Sequence, residues 1–243
     1  MSLLTMIQSV TPRLGIPNPL LVAGSTDDQV LQLLALANEE GQELAKRGNW
    51  QQMNYANTFT TVATASQGDL ATLATAGLGP SITAATFDYL INDTLWNRTT
   101  RRPVSGPLST QQWEQLKASN IQGPWPQYTV YGGTLFFLPI PPAGQTCAFR
   151  WYSKAWVTTG TGLSTSWVLD ADTGLLPEDL MAMGIMWRWR MTKGFDYAED
   201  FAKYERRVED ALARDGSKPV LSMDGCPPAV YPGIIVPSGN WPI

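Results

Sequence analysis

The spacing of apolar residues changes twice along the chain, from a helical period near 3.6 to an alternation of two and back. Leu3, Leu4, Ile7 and Val10 lie on one helical face, and Pro12, with no N–H to continue the ladder, predicts a helix over 3–12. After GSTDD, Val30, Leu33, Leu34, Ala37, Leu44 and Ala45 share one face of a second helix, predicted over 27–47. Ser25 is its expected N-cap, with Asp28 three residues on, and Gly48 its stop. From Trp50 the pattern is that of strands. TFTTVATA is β-prone, YTVYGGTLFFLP is a hairpin joined by Gly132-Gly133, and TCAFRWYSKAWV alternates Cys147, Phe149 and Trp151 against Ala148, Arg150 and Tyr152. Within this region STQQWEQLKAS reads as a helix with a Ser109–Gln112 capping box. Helical spacing returns at Pro177, a favoured first residue backed by Glu178 and Asp179, and predicts helices over 177–192 and 197–214. Asp196 and Glu199 have the spacing of a capping box for the last, whose stripe is Tyr197, Phe201, Tyr204, Val208, Ala211 and Leu212.

Helices at both ends, each with one apolar face, must meet to bury those faces. The expected fold is therefore α+β: a helical bundle from 1–48 and 174–216, with an inserted β-rich, sandwich-like domain over 49–173. Residues 217–243 contain Pro219, Pro227, Pro228, Pro232, Pro237 and Pro242, which exclude a helix and predict an extended arm. Val230, Tyr231, Ile234, Ile235, Val236 and Trp241 make it too apolar for a solvated linker, so the arm is expected to lie on another surface or over its own β domain.

The segment LPEDLMAMGIMWRWRM (176–191) has two apolar faces. Leu180, Gly184, Trp187 and Met191 lie on one, Ile185 and Trp189 roughly opposite, and Arg188 and Arg190 at the flanks. With no broad polar face it is not a membrane-surface helix, and a helix apolar on opposite sides is buried on both. It is either the central helix of one core or a helix with one face on a neighbouring subunit. The second alternative makes Leu180, Gly184, Ile185, Trp187, Arg188, Trp189 and Arg190 the candidate oligomer interface, and Trp189→Glu is then expected to weaken assembly more than folding.

Composition narrows the chemistry. The 243 residues carry only 16% charged residues but ten Trp, a balance that suggests surface covered by partners. A net charge of −4 argues against a chain whose task is gripping phosphate backbones. No run of 18 apolar residues spans a bilayer, and MSLLTMIQSVTPRLG lacks the charged n-region of a secretory signal. The chain has no histidine, which removes Ser-His-Asp and Cys-His catalysis and HExxH zinc sites. Cys147 and Cys226 are most simply free thiols, and two cysteines without histidine make no ordinary zinc site. GTGLST lacks the third glycine of a dinucleotide fingerprint, and DADTG departs from a calcium loop in the positions of its glycine and closing glutamate. The sequons at Asn92 and Asn97 carry little weight without a secretory route. Arg98, Arg101 and Arg102 beside Trp96 have the composition of a single-strand nucleic-acid site, but three arginines on an acidic chain more often anchor a loop or meet an acidic partner. No catalytic residue, cofactor or metal is expected.

Two long stretches carry a family likeness. VLQLLALANEEGQELAKRGNWQQMNYANTFTTV resembles the helix-to-tryptophan-to-strand segment of head-to-tail adaptor proteins of short-tailed bacteriophages, the tail tubular protein A type. LLPEDLMAMGIMWRWRMTKGFDYAEDFAKYERRVEDALARD is similar to that family's C-terminal helical pair. DTLWNRTTRRPVSGPLSTQQWEQLKA and FFLPIPPAGQTCAFRWYSKAWV fit its larger members, so the resemblance covers most of 25–216. It implies a bundle carrying a β domain, assembled as a twelve-fold homo-oligomeric ring beneath the portal protein. Such a ring extends the DNA channel and docks a tail or nozzle protein. DNA passes without specific binding, no membrane is involved, and the protein is a virion component of the neck, assembled in the host cytoplasm. The arm would then contact the portal or an adjacent subunit. The alternatives are another phage connector such as a tail terminator, a monomeric carbohydrate-binding β-sandwich with Trp125, Trp151 and Trp156 as an exposed platform, and a glycosidase needing two converging carboxylates.

Overall fold

Helix α1 (Leu3–Leu14) runs two residues past the expected stop. Pro12 cannot donate to Gln8, whose carbonyl accepts the Thr11 hydroxyl instead, and the helix closes at Gly15 with φ 71°. The computed structural model describes residues 2–119, 123 and 125–216. Helix α2 (Asp28–Arg47) is capped by Asp27 rather than Ser25, because the Asp27 carboxylate accepts the Gln29 N–H at 2.9 Å while the Ser25 hydroxyl accepts that of Asp27. Its buried face holds Val30, Leu33, Leu36, Ala37, Leu44 and Ala45, and also Glu40 and Gly41.

A 3-10 turn (Gln51–Met53) leads into β1 (Asn54–Thr60), which starts ahead of the expected TFTTVATA strand and ends within it. Then come β2 (Ser66–Asp69), α3 (Leu70–Thr75), β3 (Phe87–Leu90), β4 (Trp96–Asn97), β5 (Arg102–Pro103) and α4 (Thr110–Ser119). The capping box of α4 is present in both directions: the Ser109 hydroxyl accepts the Gln112 N–H, and the Gln112 side chain accepts that of Ser109. The hairpin β6 (Gln127–Tyr131) and β7 (Thr134–Leu138) turns through Gly132 and Gly133, both at positive φ as a two-residue turn requires. Strands β8 (Thr146–Ser153), β9 (Val157–Thr159), β10 (Gly162–Ser164) and β11 (Thr173–Gly174) complete the set. The chain ends its described part with α5 (Glu178–Lys193) and α6 (Ala198–Asp215). At the start of α6, Asp196 caps the N–H of Ala198, whereas Glu199 pairs with Lys203. No Asp196–Glu199 capping box forms.

Strand β8 is the hinge of the architecture. It pairs antiparallel with β1 on one side and with β3 and β4 on the other, β5 closing the sheet at its edge. Its alternation serves two cores. Cys147, Phe149 and Trp151 pack into the β body with Phe59, Leu95, Tyr128 and Phe137. Tyr152, pointing the other way, joins the helical core, where its hydroxyl accepts the Trp50 N–H and donates to the Gly48 carbonyl. Sheet β2-β7-β6 covers the β body, while the small sheet β10-β9-β11 lies against the bundle. Trp156, Val157 and Trp167, within the segment expected to be β-rich, belong to the helical core. The order helices, β, helices thus gives an α+β fold in which both terminal helical segments pack on α5.

Candidate interaction surfaces

The two-faced helix α5 is covered by its own chain. It packs against α1, α2 and α6. Leu180, Gly184, Ile185, Trp187, Arg188 and Trp189 are all buried. Trp187 meets Tyr197, Phe201 and Tyr204 around α6, with ring centroids 5.0 Å apart for the Phe201 pair. Trp189 lies in the bundle core with the Lys193 ammonium over its ring. Only Arg190 is partly exposed, and it pairs with Asp200 of α6. Within the subunit, α1, α2 and α6 cover most of both apolar sides of α5, leaving Met191 exposed at its end.

That core contains a buried ionic network. Arg188 donates through Nε to Glu40 at 2.8 Å, through Nη1 to Glu39 at 2.6 Å, and through Nη2 to Glu43. The Tyr204 hydroxyl donates to the other oxygen of Glu40, and Arg47 joins Glu43 to Glu205 of α6. Glu40 has no exposed surface and Arg188 almost none. Burial raises the Glu40 carboxyl above its ordinary range, and the hydrogen bonds from Tyr204 and Arg188 pull it partly back. Helix α5 reaches Glu40 because residue 184 is glycine: a Cβ there would lie 2.1 Å from the Glu40 carboxyl carbon. Gly184→Ala is therefore expected to lower the unfolding free energy by about 1–3 kcal/mol, since Glu40 is locked by two partners. The urea midpoint measures this, and an unchanged midpoint would mean that the carboxylate can step aside. The sequence carried a signal for the network, because Glu40 falls on the apolar stripe between Ala37 and Leu44.

Exposed apolar side chains gather elsewhere. In the DADTG segment, Asp170 accepts the N–H groups of Val22 and Ala23, and Asp172 accepts those of Val168 and Leu169. Both carboxylates are thus spent on loop backbone, and the two loops turn Leu20, Leu21, Val168 and Leu169 outward. GTGLST supplies the β9–β10 turn at Gly160–Thr161 and then strand β10. Around the α5–α6 turn, Met191, Phe195, Tyr197 and Phe201 are exposed over Trp187.

At the end of the β body away from the bundle lies a third surface, a groove of about 320 Å³. Its walls include Val104, Pro126, Phe137, Pro139, Ile140, Pro141 and Pro142, with Asn97, Thr100, Arg102 and Gln145 on the polar side. Ile140 is half exposed. The Arg102 guanidinium sits 5.2 Å from the centre of the Trp125 ring, which is 53% exposed. Arg98 and Arg101 occupy the β4–β5 turn, both exposed, and have no carboxylate partner among the described residues.

Of the proposed carbohydrate platform only Trp125 is exposed. Trp151 and Trp156 are fully buried, one in each core, so the three rings form no platform. Burial pushes the Cys147 thiol up to about 11, which suits a packed and unreactive residue. Among the described residues no cluster of acids and cysteines could hold a metal, and no helix is long and apolar enough to cross a membrane. The arm residues Val230, Tyr231, Ile234, Ile235, Val236 and Trp241, with Cys226, lie outside the described residues.

No curated protein matches the chain. The model of the SU10 adaptor protein family, however, matches residues 1–223, spanning the bundle and the β body together. That match covers the segments that carry the likeness to phage head-to-tail adaptors, and it identifies a structural component of the virion. The chain belongs to the SU10 adaptor protein family.

Proposed function

We propose that the protein assembles as a homo-oligomeric ring, twelve-fold as the family likeness implies, between the portal and the tail or nozzle protein, extending the channel through which DNA passes. The observation that carries this reading is the adaptor family match across 1–223. The three exposed apolar surfaces on a chain poor in charge support it, because such surfaces on a lone subunit would be sticky. A ring needs two different patches that complement each other, and the loop patch at Leu20, the turn patch at Phe195 and the groove at Ile140 supply distinct ones. The interface between copies is assigned to these surfaces rather than to the covered faces of α5. Assembly in the host cytoplasm, and a channel that lets DNA slide without tight binding, go with this reading.

The arm is proposed to contact the portal or an adjacent subunit. Deleting 219–243 is expected to leave a folded, soluble protein that fails to dock on the portal or builds unstable rings. Electron microscopy of the purified protein, alone and with its portal, measures this. Normal docking by the truncated protein would remove the arm from the reading, and a wild-type protein that stays monomeric with its portal would remove the ring.

A further inference from the structure

We propose that the proline-walled groove at the outer end of the β body is the receptor for residues 217–243 of a neighbouring copy. This rests on the ring reading above and adds the partner surface for the arm.

The groove has the chemistry that recognises an extended proline-containing segment. Pro126, Pro139, Pro141 and Pro142 give it walls without side-chain rotamers to freeze, and Ile140 supplies exposed apolar surface over the buried Phe137 ring. Trp125 stands half exposed beside it, its ring held by Arg102. An aromatic face next to a rigid apolar trough is how proline-rich peptides are bound elsewhere, because their preset backbone loses little entropy on docking. The arm offers the matching surface, six prolines interleaved with Val230, Tyr231, Ile234, Ile235, Val236 and Trp241.

Reach allows a neighbour as well as the same chain. The described chain leaves the bundle at Asp215, whose carboxylate accepts the Gln51 N–H at 2.7 Å. The groove lies at the other end of β1, where the Thr61 hydroxyl donates to the Pro142 carbonyl. Residues 51–61 separate these points by at most about 33 Å, and 27 arm residues extend to at most ~84 Å, so length excludes neither chain. A tail-into-groove contact between copies is heterologous, the kind that closes rings, and on the ring reading this selects the neighbour.

The test uses the full chain with p-benzoyl-phenylalanine in place of Ile140, a position half exposed in the groove. Isotope-labelled and unlabelled chains are mixed before assembly, irradiated, digested and analysed by mass spectrometry. Cross-links from position 140 to peptides of 217–243 carrying mixed isotopes are the expected result. Pairs of like isotope alone would place each arm in its own groove, and cross-links to other segments, or none, would show that the groove does not receive the arm. Either overturns the proposal. In parallel, Trp125→Ala is expected to raise the concentration for half-assembly about tenfold while leaving the thermal melt unchanged. Equal assembly of Trp125→Ala and wild type counts against the groove. If the wild type forms no oligomer by light scattering, the ring reading itself fails, which is a separate result.

Discussion

Arg188→Leu is expected to lower the unfolding free energy of the subunit by about 3–5 kcal/mol, because it strands Glu40 as an uncompensated charge in the bundle core. Arg188 is 3% exposed and Glu40 has no exposed surface, so water cannot take over the lost contact. The remaining groups around Glu40 do not replace it: Tyr204 donates one hydrogen bond, Glu39 and Glu43 add like charge, and Arg47 is already engaged by Glu43 and Glu205. The double replacement Glu40→Leu with Arg188→Leu should recover much of the loss, since removing both partners of a buried pair is far less harmful than removing one. The pH dependence is a second signature. Burial already holds the folded Glu40 carboxyl above 4.5, and loss of the guanidinium raises it further. A raised carboxyl binds its proton more tightly in the folded state. The contribution of this group therefore favours folding below 4.5 and is lost as pH rises through the folded value. Arg188→Leu should accordingly lose more stability relative to wild type at pH 7 than near pH 5 in urea titrations. A deficit that is the same at both pH values would mean that Glu40 is not the stranded charge.

Trp189→Glu is expected to unfold the subunit rather than to spare it and weaken assembly. Trp189 is 5% exposed in the helical core, with Lys193 capping its ring from the solvent side. Truncating a buried Trp costs about 3–5 kcal/mol, and a carboxylate in its place adds desolvation. Against a typical total of about 5–15 kcal/mol, that loss removes a large part of the subunit's stability. Near-UV circular dichroism and the urea midpoint measure this. A variant with a native spectrum and midpoint that no longer assembles would place Trp189 at a subunit contact and overturn its role in the core.

The helices were legible because their determinants are local. The stripes of α1 and α2, the Ser109–Gln112 box and the Gly132-Gly133 turn each depend on residues within a few positions of one another, and the structure has them, whereas of the α6 stripe only Tyr204 and Val208 are buried and Tyr197 and Phe201 stay exposed. The errors at this level are also local. At the α2 and α6 starts Asp27 and Asp196 cap alone, where Ser25 and an Asp196–Glu199 box are expected from spacing, because several residues nearby can serve each terminus and spacing alone does not choose among them. The likeness to phage adaptors, carried by the pattern of aromatics and caps, agrees with the family that matches 1–223.

What the sequence determined by itself, then, was the set of elements, the α+β class and the family; what only the tertiary structure decided was which faces meet. Periodicity showed that α5 is apolar on two sides but not whether its second cover is a neighbour or α6, because burial by the same chain and by another leaves the same pattern in one dimension. The partners of Glu40 lie on α5 and α6, more than 140 residues away in the chain. The groove at Ile140 gathers residues from 97 to 145, with Trp125 on its rim, and no spacing rule links them. Pairings of that range are fixed by which strands and helices pack together, and so they become visible only once the chain is folded.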